Sequence, residues 1–233
     1  MIKLLLLTML LILSGASASE EFNDSDPWEN LNRKFYALNF EILDPLAVKP
    51  LASVYDGLTP NPIRKGVSNF FANLNELPNS VNSLLQGKVG QSVNDAGRFL
   101  INSTLGIGGL FDVASSIGLQ LSQEEDFGQT LAVWGVGQGP YLMLPFLGPS
   151  TLRDAPSSFF DSFLDPFSYN NNYGIRIGIK AIDIVAIRAD LLGLDDMMSG
   201  DKYLFVRDVY LQNRAYVISD GAIEDDFDDL EDY

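Results

Sequence analysis

The apolar positions of this chain recur mostly at helical spacing. Trp28, Leu31, Phe35, Leu38 and Ile42 follow one another at intervals of 3, 4, 3 and 4, which lines one face of an α-helix. Asp26-Pro27-Trp28-Glu29 supplies its start, with Asp at the N-cap, Pro at the first helical position and Glu two places on. The helix is expected to stop near Asp44, ahead of Pro45. Asn61-Pro62 opens a second helix with Ile63, Val67, Phe70, Phe71 and Leu74 on its apolar side. Pro78 is expected to begin a separate short helix that Gly87 ends, and Val89, Val93, Ala96 and Leu100 mark the next. Leu105 to Leu110, with three glycines, reads as a turn. The last helix is expected from about Asp201 to Ser219. Strand patterns are scarce, so the expected class is all-α.

Phe127 to Leu152 carries no charge over 26 residues. That length could cross a bilayer, but five glycines and three prolines lie inside it, and each interior proline costs a helix about 3 kcal/mol. The pattern predicts a helix to about Trp134 and a flexible bend with Gly135 and Gly137 as hinges. An apolar hairpin follows over Gly139, Pro140, Tyr141, Leu142, Met143, Leu144, Pro145 and Phe146. Non-helical backbone at membrane depth is tolerated only against protein or a water-filled cavity, so the hairpin is a candidate lining or gate. A buried loop in a soluble core is the plainer alternative.

Between Gly174 and Leu192, Arg176, Lys180, Asp183 and Asp190 fall on one stripe of about 80° at helical pitch. Most of the remaining surface is Ile, Val, Leu or Ala. Such a narrow ionic line suits a lipid-bathed helix facing a wet lumen or a deep core position. An ordinary Lys180–Asp183 pair on a solvated strip would leave the same trace.

At the N-terminus, Lys3, the ten-residue run Leu4 to Leu13 and Ala16-Ser17-Ala18 read as a secretory signal peptide over residues 1–18, cut after Ala18. Leu13-Ser14-Gly15 would precede the lipid-modified cysteine of a bacterial lipoprotein, but Ala16 stands in its place. Attachment to a membrane is therefore expected from the folded region, residues 19–220. Residues 221–233 form an acidic tail expected to be solvated and disordered.

Composition narrows the chemistry. The formal charge of −16 excludes a nucleic-acid-binding surface. With no cysteine and no histidine, disulfides, thiolate zinc sites and Ser-His-Asp or Cys-His nucleophiles are out of reach. Gly106-x-Gly108-Gly109 and Gly135-x-Gly137-x-Gly139 match no phosphate-loop spacing. Glu124/Glu125 and Asp195/Asp196 read as surface carboxylates.

From Asp26 to about residue 216 the sequence resembles the VacJ/MlaA family. The resemblance rests on Asp26-Pro27-Trp28-Glu29-Asn30-Leu31-Asn32-Arg33, Leu43-Asp44-Pro45, and Pro60-Asn61-Pro62-Ile63-Arg64-Lys65-Gly66-Val67-Ser68-Asn69-Phe70-Phe71. Arg98-Phe99-Leu100-Ile101-Asn102-Ser103-Thr104-Leu105-Gly106 continues it. The densest block is Glu125-Asp126-Phe127-Gly128-Gln129-Thr130-Leu131 through Trp134-Gly135-Val136-Gly137-Gln138-Gly139-Pro140-Tyr141 to Leu152-Arg153-Asp154. The resemblance implies a ring-shaped helical domain embedded in the outer membrane, on its periplasmic side, with a central amphipathic channel. It implies phospholipid as cargo, taken from the outer leaflet and passed to a soluble periplasmic carrier, with a trimeric porin alongside, no cofactor and no covalent chemistry. In this frame the hairpin supplies an apolar wall, Arg176, Lys180 and Asp183 a polar line, and Arg153-Asp154 fixes the hairpin's far end. Two other readings stay open: a soluble periplasmic lipid-binding protein with a closed pocket, and an envelope hydrolase working through carboxylates.

Overall fold

The computed structural model describes residues 26–198 and 200–222. The signal-peptide expectation, Ala16 and most of the acidic tail lie outside them. The chain runs as α1 (Glu29–Tyr36), a π-helical segment (Ala37–Val48), α2 (Lys49–Leu58), α3 (Asn61–Leu85), α4 (Val89–Thr104), α5 (Val113–Ser116) and α6 (Phe127–Val133). A hairpin of β1 (Tyr141–Leu144) and β2 (Gly148–Thr151) follows. Then come α7 (Asp154–Asp161), a 3-10 turn (Pro166–Tyr169), α8 (Tyr173–Asp190), a second 3-10 turn (Leu192–Met197) and α9 (Lys202–Ile218).

Two prolines do not break the chain where their chemistry predicts. The helical path continues through Pro45 as a wide π turn, whose i→i+5 ladder makes room for a residue without an N–H. Pro78 lies inside α3, a single helix of 25 residues. Polar side chains on either side of it hold that helix to its neighbours: Asn73 donates to Ser103 at 2.9 Å, Glu76 accepts from Arg98 at 2.5 Å, and Asn82 donates to Asp161 at 3.0 Å. At the start of α1, Asp26 does not cap the helix. Its carboxylate accepts from Asn32 at 2.7 Å and from the Tyr203 hydroxyl.

The packing inverts the usual order. Among the described residues, eight buried side chains are hydrophobic and twenty are polar or charged, whereas soluble interiors are mostly aliphatic. On α4 the buried face is Ser92, Asp95, Arg98 and Asn102, and Val89, Val93 and Leu100 are exposed. On α3 it is Asn73, Glu76, Asn79, Ser80, Asn82 and Ser83, with Ile63 turned out. Trp28, Leu31 and Ile42 are likewise exposed, while Asn32 and Tyr36 are buried. The apolar stripes thus keep the expected period but are only partly covered: Phe35 packs on the core, and Val67, Phe70, Phe71 and Leu74 are half-buried.

Arg98 and Glu76, 2 % and 1 % exposed, form the centre of the α3–α4 seam. The Arg98 guanidinium also donates to Ser115 Oγ at 2.9 Å and to the Leu119 carbonyl at 2.7 Å. Burial pushes the Glu76 carboxyl above its ordinary range, and Arg98 pulls it part of the way back. Arg98→Met should therefore destabilise the protein by about 3–5 kcal/mol, because it strands a buried carboxylate. The double variant Arg98→Met/Glu76→Gln should recover much of that loss in detergent-solubilised unfolding measurements. A single-variant loss under 1 kcal/mol would contradict the role given to the pair.

Candidate functional site

The hairpin is held by amides. Asn32 donates to the Tyr141 carbonyl at 3.1 Å and accepts the Met143 N–H at 2.9 Å. Seven residues on, Asn39 donates to the Leu144 carbonyl at 2.8 Å and accepts the Phe146 N–H at 2.8 Å. Together the two side chains do for β1 what a neighbouring strand would do. On its other edge β1 pairs antiparallel with β2, Tyr141 opposite Thr151 and Leu144 opposite Gly148. Two further bonds close the base, Leu152 N–H to the Pro140 carbonyl at 3.0 Å and Arg153 N–H to the Gln138 carbonyl at 3.2 Å.

Alternation then divides the hairpin's side chains. Tyr141 and Met143 are buried with Tyr36 and Tyr203 in the small apolar core. Leu142 and Leu144 lie half-buried on the other face, as does Pro145. The tip residues Phe146 and Leu147 are 74 % and 78 % exposed. Of the expected hinges, Gly135 has φ +88° and is open to solvent, and Gly137 meets nothing where a Cβ would sit. Gly139 has φ +67° and packs against Leu152.

Behind β2 lies a polar cavity of about 230 Å³, lined chiefly by Asp126, Ser150, Asp154, Asp161, Tyr210 and Arg214. Arg214 donates to both Asp126 oxygens at 2.5 and 2.7 Å and to Asp154 at 2.8 Å. Arg153 grips the other Asp154 oxygen at 2.7 Å. Burial alone would lift the Asp154 carboxyl, but Arg153 and Arg214 hold it below the usual carboxylate range. Asp161 is raised by burial, and its bonds from Asn82 and the Phe127 N–H, with the weaker pull of Arg214, bring it only part of the way back. Two serines of the wall, Ser157 and Ser158, both donate to the Asp154 backbone carbonyl, at 2.6 and 3.2 Å.

The hairpin residues and Arg153-Asp154 thus come together, joined by Asn32, Asn39, Tyr210 and Arg214, which the sequence reading missed. Asn32 and Asn39 carry a faint signal, two amides seven apart beside an apolar stripe. Arg214, buried on α9, left none, because its partners are 88 and 60 residues away. The ionic stripe of α8 does not join the group. Lys180 pairs with Asp183 at 3.1 Å, and Arg176 lies over the Tyr173 ring at 5.5 Å, so their partners are on α8 itself. Glu125, expected at the surface, is buried and accepts from Lys88 and Gln86, each at 2.8 Å.

A helical chain whose buried side chains are mostly polar, with many apolar side chains exposed and an amide-clamped hairpin, defines a class of amphipathic helical body. The chain belongs to the MlaA lipoprotein family, whose model matches residues 24–217. It is 37% identical to the intermembrane phospholipid transport system lipoprotein MlaA of Escherichia coli, over 96% of this chain and 95% of that one. The Haemophilus influenzae protein of the same name is 28% identical over 89% of this chain and 85% of its own length. A solved structure described under "Structural basis for maintenance of bacterial outer membrane lipid asymmetry" superposes with a TM-score of 0.75 at 36% identity, covering 83% of this chain and 99% of that one.

Asn32→Ala should destabilise the protein by about 2 kcal/mol or more, because it leaves a buried carbonyl and a buried N–H unpaired. Asn39→Ala, at a half-buried position, should lose about half as much. Chemical denaturation of both variants in detergent checks this ordering, and a neutral Asn32→Ala would remove the clamp.

Proposed function

We propose that this protein carries out intermembrane phospholipid transport from within the outer membrane. It takes misplaced phospholipid from the outer leaflet and passes it to a soluble periplasmic carrier, which maintains lipid asymmetry. The observation that carries the reading is the inverted burial: outward leucines, isoleucines and phenylalanines on nearly every helix, and carboxylates, amides and guanidinia within. Exposed apolar area on this scale is foreign to a monomer in water and is solvated by acyl chains. No helix among the described residues is long and apolar enough to cross a membrane. On this reading the helices together, rather than any one of them, form the embedded body, reached from the periplasmic side. A channel through such a body is wet on its polar side and oily at the hairpin, which matches a molecule with a charged head and two tails. A trimeric porin is the expected neighbour.

Leu142 is the better probe of a hairpin gate than Met143, since Met143 belongs to the buried core and a charge there would unfold the site. Leu142→Asp should cut phospholipid transfer about tenfold or more in a reconstituted donor–acceptor assay while leaving the unfolding temperature within about 3 °C. Wild-type protein should stay in the membrane pellet through carbonate washing and release phospholipid in native mass spectrometry. Recovery in the supernatant, free of lipid, would favour a soluble periplasmic binding protein.

A further inference from the structure

The turn between α4 and α5 is over-built for a connection. Leu105 to Phe111 is tied down by its own backbone. Gly108 N–H bonds the Ser103 carbonyl at 3.1 Å, Gly109 N–H the Asn102 carbonyl at 2.8 Å, and Phe111 N–H the Gly106 carbonyl at 3.0 Å. Asn69 of α3 donates to the Leu110 carbonyl at 3.1 Å. A Cβ on Gly106 would sit 2.2 Å from the Phe111 carbonyl oxygen, so only glycine lets the turn close this tightly.

This rigid base presents Leu105, Ile107, Leu110 and Phe111, all exposed, with Ile107 at 66 %. Ile107 also has φ +53°, a left-handed conformation that β-branched residues avoid. Glycine or asparagine would fit there without strain, and either would be better hydrated. Neither the fold nor water explains an isoleucine at that tip, and strain held at an exposed site is a mark of function. No charged residue falls between Arg98 and Asp112. The turn also joins the outward apolar side of α4, Val93 and Leu100, to that of α3, since Leu110 packs against Gly66, one turn from exposed Ile63.

We infer that the Leu105–Phe111 turn is a wedge that inserts into the acyl region of a phospholipid leaflet, with Ile107 at its point. This rests on the lipid reading above and adds a specific anchoring element, away from the hairpin. The occupant is acyl chain because the surface is apolar and uncharged and lies between two helices that carry exposed apolar residues, while the Gly108, Gly109 and Phe111 N–H groups are bonded within the turn and its stem.

The full chain contains no cysteine, so Ile107→Cys gives a unique attachment point for a nitroxide. In vesicles of phosphatidylethanolamine and phosphatidylglycerol, the label should collide with oxygen and be shielded from a water-soluble nickel chelate. Ile107→Asn should lower vesicle partitioning by about tenfold with the unfolding temperature unchanged or raised, and Ile107→Leu should keep wild-type binding. A nickel-accessible label on vesicle-bound protein would overturn the wedge and leave the lipid reading standing. So would unchanged partitioning of Ile107→Asn, or a fall in its unfolding temperature that assigns Ile107 to the fold. Shielding that arises only when an outer-membrane protein is added would assign the turn to a protein partner. Wild-type protein that never binds vesicles would remove both readings.

Discussion

The Glu76–Arg98 pair is the interaction on which the architecture depends. Two amphipathic helices normally meet through their oily faces; α3 and α4 meet through their polar ones. The charges between them are bonded through at least one atom each: Glu76 accepts from Arg98, Arg98 also donates to Ser115 and the Leu119 carbonyl, and Asp95 accepts from Ser122 and Asn94. Asn102 holds Asp112 at 3.1 Å. An unpaired charge in that seam would cost more than a small fold can lose. Once the seam is satisfied, the apolar faces are free to turn outward.

The same device recurs around the molecule. Asp44 and Arg188 tie the π-helical segment to α8 through two bonds of 2.8 and 3.0 Å. Asp126, Asp154 and Arg214 join α6, α7 and α9 behind the hairpin. Polar and ionic pairs do the work of a core here, and the genuine apolar core is a small group of tyrosines and Met143 beneath the hairpin. Such contacts are directional, so they fix how the helices sit against one another although little aliphatic core lies between them.

Much of this fold can be read in the sequence, but not its sense. The 3-4 spacing from Trp28 to Ile42, the Pro62 start, the Gly87 stop and the expected start near Asp201 locate helices correctly, because each is a local signal. Periodicity says that a stripe exists and is silent on whether core or lipid covers it; the resemblance to a known family, not the pattern, pointed outward. Pro45 and Pro78 misled because the partners that keep the chain helical are supplied by other elements. The hairpin was legible as an uncharged Gly- and Pro-rich run. Its clamp was not, since Asn32 meets Tyr141 across 109 positions. The α8 stripe shows a further limit: Lys180 pairs with Asp183 and Arg176 lies over Tyr173, contacts within one helix that spacing alone does not foretell.

The outward apolar faces carry the whole account, and the chain's two tryptophans report on them directly. Trp28 and Trp134 are 41 % and 54 % exposed. Fluorescence quenching should be measured with the full chain in vesicles, using phospholipids brominated along the acyl chains and, separately, aqueous iodide. Strong quenching by the brominated chains with little by iodide is the result the account predicts. Strong quenching by iodide with none by the brominated lipid would mean that these faces meet water, and the inverted fold would need another explanation.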